Sequence, residues 1–140
     1  MWIFYALLSA IAASLVAIFA KLGLKSLDAT LATTLRSLVM FIFLFGTSLS
    51  LKKFAGFNLR MLGTQDWLFI FLAGIAGAVS WLFYFFALKL GLASKVSAVD
   101  RLSLVFVIIL AALFLGEKIT LKVAVGTFLM VLGAILVVFQ

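Results

Sequence analysis

Three charged side chains, Arg36, Asp100 and Arg101, fall inside stretches of sequence that are otherwise almost wholly apolar. A charge placed at mid-membrane costs about 2.5–3.5 kcal/mol even on a forgiving insertion scale, so such residues face a cavity or an opposite charge. Arg36 lies seven residues beyond Ala29 and Asp100 four beyond Val96. At about 1.5 Å of rise per residue, both sit roughly 6–11 Å inside their helices, entered from the same side. Adjacent Asp100 and Arg101 project about 100° apart on a helix and do not face one another. Asp100 is therefore expected to pair with Arg36, or with Lys95 or Lys21, leaving Arg101 to face a cavity or reach toward headgroups. Such a pair could merely lock two helices together, or could act directly on a passing solute or ion. Both readings stay open at this stage.

A second group of chemically useful residues lies on the third apolar stretch. Gly77, Ser80, Trp81, Tyr84 and Leu88 share one helical face by the i, i+3, i+4 rule. A small notch, a hydroxyl and two amphipathic aromatic rings suit an organic ligand with apolar or aromatic parts, although plain helix packing uses the same residues. Trp2 and Trp67, at the ends of their stretches, read as interfacial belt residues.

Other chemistries are missing from the sequence. With no Cys and no His, thiol chemistry, disulfides and the commonest ligands of zinc, copper and iron are absent. The four carboxylates, Asp28, Asp66, Asp100 and Glu117, are scattered, and Glu117 beside Gly116 and Lys118 fits a helix end at the interface. No nucleophile-plus-base constellation, phosphate-cradling glycine loop or metalloprotease motif occurs. No catalytic residue, cofactor or metal is expected, and any solute movement must run on a gradient or by downhill exchange.

The elements that position these residues are five apolar stretches, Trp2–Ala20, Ala29–Leu51, Trp67–Leu88, Val96–Leu115 and Val123–Phe139. About 20 apolar residues in a helix cross a hydrocarbon layer of about 30 Å. Hydrophobic residues make up 68 % of the 140-residue chain and charged residues 11 %. A soluble domain of this length could not bury five such segments. The expected fold is all-α, an integral membrane bundle of five transmembrane helices in a single domain over residues 1–140. The first stretch lacks a basic leader and is longer than a signal core, so it is expected to be retained.

The intervals between spans hold 8, 15, 7 and 7 residues, and the short ones force antiparallel hairpins. Phe54, Phe57, Leu59, Met61 and Leu62 in the longest interval suggest that part of it lies along the membrane surface. Proline is absent, so kinks must come from glycine or polar groups. Ser9, Ala13 and Ala17, then Ala73–Gly77 and Gly74–Ala78, then Gly126 and Gly133, offer small-residue faces for close helix contact.

Net charge is +7, but most basic residues lie between spans, where they meet lipid phosphates rather than nucleic acid. Lys52, Lys53, Arg60, Lys118 and Lys122 fall on one side, and Lys21, Lys25, Lys89 and Lys95 on the other, a tally of 5 against 4. Adding Arg36 and Arg101 to the second side makes it 5 against 6. The Lys/Arg bias normally sets orientation, and here almost none exists. Either one or two well-placed charges still decide, or the chain inserts both ways round.

The run from Trp81 to Val138 resembles the EamA-type repeat of the drug/metabolite transporter superfamily. The matching segments are WLFYFFALKLGLAS (81–94), SAVDRLSLVFVIILAALFLGE (97–117) and VAVGTFLMVLGAILV (123–137), with KLGL (21–24) and Arg36–Ser37 fitting in the first half. Many members carry two inverted five-span repeats around a central cavity, and this chain resembles the single-repeat prokaryotic members. The resemblance implies a secondary transporter, or transporter half, in the cell's inner or plasma membrane. It would move a small organic metabolite or drug-like solute as a homodimer, possibly antiparallel, or as a heterodimer with a second half. Arg36, Asp100 and Arg101 would polarise one side of the cavity toward a carboxylate or phosphate, with Ser80, Trp81 and Tyr84 near the apolar part. Many relatives have a proline near Ala98–Asp100; its absence leaves a helix break there without its usual cause. The first-span glutamate of the small multidrug resistance branch has no counterpart, so its proton–drug exchange is not implied. The alternative reading is a non-transporting helical subunit that pairs with another membrane protein.

Overall fold

The computed structural model describes residues 1–55, 57–58 and 62–140. Its elements are all helices: α1 (Trp2–Gly23), α2 (Ala29–Ser50), α3 (Thr64–Leu90), α4 (Ala93–Asp100), α5 (Ser103–Phe114) and α6 (Leu121–Val138). Counting α4 and α5 as one interrupted span, Ala93–Phe114, five helical segments are long and apolar enough to cross a membrane. The five expected spans are thus present, with ends moved by a few residues. Most large apolar side chains point outward, Phe43 at 71 % and Phe83 at 68 % exposure among them. That surface is too extensive for water and is the one a bilayer covers. The protein is a multi-pass membrane protein.

Local signals account for the helix starts. Asp28 precedes α2 and accepts from the backbone N–H of Thr30 at 2.8 Å and of Leu31 at 3.3 Å, satisfying two donors of the first turn. Thr120 caps α6 through the Val123 N–H at 3.4 Å. At α3, Asp66 reaches back to the Gly63 N–H at 2.9 Å, the acidic half of a capping box. Inside the spans, hydroxyls donate to their own helix: Thr33 to Ala29, Thr34 to Thr30, Ser37 to Thr33, Thr47 to Phe43 and Thr127 to Val123. This is how polar side chains are satisfied where no water is available.

The fourth span is interrupted where no proline supplied a reason. The N–H groups of Leu102, Leu104 and Val105 reach back only three residues, to Val99, Arg101 and Leu102. Arg101 and Leu102 hold ψ near −15° and −17°, the tighter 3₁₀ geometry. The carbonyls of Ala98 and Asp100 receive none of these bonds. Asp100, a poor helix former whose side chain competes for backbone donors, sits at the break.

The chain forms two compact units, Leu22–Lys89 and Met1–Lys21 with Leu90–Gln140. In the second unit, α4 packs on α6, and Lys95 of α4 donates to the carbonyls of Val138 at 2.8 Å and Gln140 at 2.9 Å. Lys21, at the end of α1, donates to the carbonyl of Gly91 at 2.7 Å. In the first unit, α3 is tied to the start of α2 by Lys89, which donates to the Leu27 carbonyl at 3.2 Å. Phe41, Phe45, Phe54 and Phe57 form a continuous ring series with centroid spacings of 5.7, 5.6 and 6.3 Å. Phe54 thus turns back onto the end of α2. Leu59, Arg60 and Met61 of the same interval lie outside the described residues.

The small-residue faces fare unevenly. Ala17 is buried and Ala13 partly so, but Ser9 is exposed. A methyl group added at Gly74, Gly77, Gly126 or Gly133 would meet nothing within 4 Å among the described residues. Among the described residues, and within each unit, those notches are not tight helix contacts.

Candidate functional site

Arg36 lies about 10 Å into α2, seven residues past its first. Its guanidinium carbon stands 3.7 Å from the centroid of the Trp81 ring and 5.8 Å from that of Phe85, both on α3. At 3.7 Å the planar cation is in van der Waals contact with the indole, a cation–π arrangement that arginine favours. The indole is itself fixed edge-on by two neighbours. Tyr84 lies 5.6 Å from Trp81 at 84°, and Phe85 6.2 Å away at 71°. Phe85 is only 2 % exposed and forms the floor, while Arg36, Trp81 and Tyr84 remain half-buried.

Two residues that the sequence placed on separate helices thus share one contact. Tyr84 joins them as expected from the helical face, and Leu88, one turn further, is fully buried beneath. Ser80 is exposed and has no place among the ring contacts. Phe85 was missed; it lies four residues past Trp81, and the same spacing rule that selected Leu88 from Tyr84 selects it. Asp100 closes α4 and Arg101 caps it, both exposed, in the unit that does not contain Arg36. Of the lysines offered as partners for Asp100, Lys95 donates to the carbonyls of Val138 and Gln140, and Lys21 donates to that of Gly91.

Electrostatically the unit of α2 and α3 is a cation set on aromatic faces. Its described carboxylates, Asp28 and Asp66, are at helix starts and are engaged by backbone N–H groups. Hydrogen bonds from Leu31 and Thr30 hold the Asp28 carboxyl below its usual range, with Lys89 adding to the effect. Among the described residues, no group of three or more His, Cys, Asp or Glu side chains could hold a metal ion. The arrangement sets a planar cation against aromatic rings within two apolar helices.

Fold and site together define a polytopic helical membrane protein with an aromatic-lined cation set within its spans. The model of the EamA-like transporter family matches residues 1–139, and the chain belongs to that family. It is also similar to a protein of a Sinorhizobium species described as an uncharacterized transporter in the cobO 3' region. The two are 39 % identical over 135 residues, covering 96 % of this chain and 94 % of the relative. No solved structure matches the chain.

Proposed function

We propose that this chain is one half of a gradient-driven transporter, carrying a small organic solute across the prokaryotic inner or plasma membrane as an antiparallel dimer. Family membership supports transport of the drug/metabolite type. The observation that carries the solute site is the Arg36 guanidinium laid on Trp81 within otherwise apolar spans. A cation at membrane depth is expensive in lipid and is retained where it faces a pathway.

The dimer follows from number and charge. Five spans make a single repeat, and alternating access of the inverted-repeat kind needs two oppositely oriented copies around one site. The near-balance of Lys and Arg across the two sides permits insertion in both directions. The open notches at Gly74, Gly77, Gly126 and Gly133 leave helix faces available to a second copy.

The test is reconstitution. Purified protein in liposomes is offered a panel of radiolabelled amino acids, organic acids and aromatic compounds under an imposed gradient. Saturable uptake of at least one, abolished by Trp81→Ala, is expected. Leak-level uptake of the whole panel by a folded dimer would remove the proposal.

A further inference from the structure

We infer that the Arg36–Trp81 pair is a recognition site for an oxyanion, so that the carried solute is a small organic acid bearing a carboxylate or phosphate. This deepens the transporter reading and rests on it. The guanidinium carbon stands 3.7 Å from the Trp81 centroid, and a guanidinium laid face-on at that distance keeps its five in-plane N–H donors clear of the ring. The stack therefore orients the donor fork without consuming it.

Among the described residues of the same unit, neither carboxylate takes up those donors. Asp28 accepts from Thr30 and Leu31, and Asp66 from Gly63. By helix rise, Asp28 is about 12 Å from Arg36 along α2, and Asp66 about 22 Å from Trp81 along α3. Within a turn of Arg36, the hydroxyls of Thr33, Thr34 and Ser37 are turned to carbonyls of their own helix, and among the described residues none accepts a hydrogen bond from Arg36. Unpaired donors on a cation in a low-dielectric region are costly, and a carboxylate or phosphate meets them two at a time. The surrounding Trp81, Tyr84 and Phe85 rings favour an acid with an apolar body over a bare inorganic ion.

A lipid phosphate has the same chemistry as a solute phosphate, so the experiment separates the two. Trp2→Phe with Trp67→Phe leaves Trp81 as the sole indole reporter at the site. The protein, in a maltoside detergent free of phosphate, is titrated with phenylacetate, phenyl phosphate, the neutral phenylacetamide and sodium chloride, following Trp81 emission. Saturable changes with both organic anions are expected, with the amide weaker by about tenfold or more. Arg36→Lys keeps the charge but loses the fork and the stack, and should weaken anion binding about tenfold while the dimer still elutes intact.

Equal binding of amide and anion, or full occupancy by chloride, overturns the inference. So does anion binding that appears only in Asp100→Asn, because Asp100 is then the counter-ion of Arg36. Loss of the signal on adding phosphatidylglycerol assigns the site to lipid and likewise overturns it. Uptake of a neutral or cationic solute beside a negative titration would sink this inference and leave the transporter reading standing. Anion binding without uptake of any solute would do the reverse.

Discussion

Lys95 reaches from α4 to the end of α6, where its ammonium donates to the carbonyl of Val138 at 2.8 Å. The last carbonyls of a helix have no partner within it and carry its negative dipole end, so a lysine there satisfies both needs. Helix α4 has only 8 residues, too few to persist without such support. Lys95→Met keeps the apolar stem and removes the donor. We expect it to lower stability by about 1–2 kcal/mol, the lower range for a charge-assisted hydrogen bond because the site is partly exposed. An unchanged melting temperature in detergent, followed by circular dichroism, would show that packing alone holds α4.

Asp28 gives a pH dependence of definite sign. Its carboxyl is depressed in the folded protein by the Leu31 and Thr30 N–H groups. A depressed carboxyl adds stability above its unfolded pKa, near 4, and that stability is lost as pH falls through the folded value. The melting temperature should therefore drop on going from about pH 6 to about pH 3. Asp28→Asn retains a capping oxygen but cannot titrate, so its profile should be flatter than that of the parent. Parallel profiles would assign the acid sensitivity elsewhere.

How much of this was legible beforehand divides along physical lines. Apolar length located the five spans, because the bilayer imposes one requirement on every crossing segment. It could not fix how each helix is rotated. Helices that are apolar all round carry little amphipathic signal to say which face meets a neighbour. Arg36 and Trp81 were therefore both marked as chemically notable, yet their stacking was not foreseen. With proline absent, kinks fall to glycine or polar groups, but the sequence does not say which polar group acts; at Asp100 adjacent polar residues suffice to tighten the turn. The glycine notches were legible as close-contact faces but are open among the described residues.

Two positive φ angles predict substitutions of opposite sign. Gly116 ends the segment after α5 at φ +68°, where the following Glu117 N–H returns to the Ala111 carbonyl at 3.3 Å. An added methyl group meets no neighbour there, so Gly116→Ala isolates the backbone cost, about 1 kcal/mol or slightly more. Lys52, at φ 51°, adopts the same region with a side chain, after α2. Lys52→Gly should gain part of that cost back, less than about 1 kcal/mol because glycine loses more entropy on folding. Chemical denaturation in mixed micelles measures both, and shifts of the same sign would reject the backbone explanation.

The last prediction concerns orientation. Lys52 and Lys53 lie at the end of α2 on one side of the membrane, and Lys25 precedes α2 on the other. Because the tally across the two sides is 5 against 6 when Arg36 and Arg101 are counted, two or three charges should decide insertion. Lys52→Gln with Lys53→Gln should commit the chain to one orientation. Lys25→Gln with Ser50→Lys and Gln65→Lys, which makes the tally 7 against 5, should commit it to the other. Reporters active only inside or only outside the cell, fused to the C-terminus, should each signal for the parent, and only one for each biased variant. If transport requires opposed copies, each biased variant alone is inactive and the two together regain uptake. Full uptake by either variant alone would establish that copies of like orientation suffice, and the antiparallel dimer would have to be abandoned.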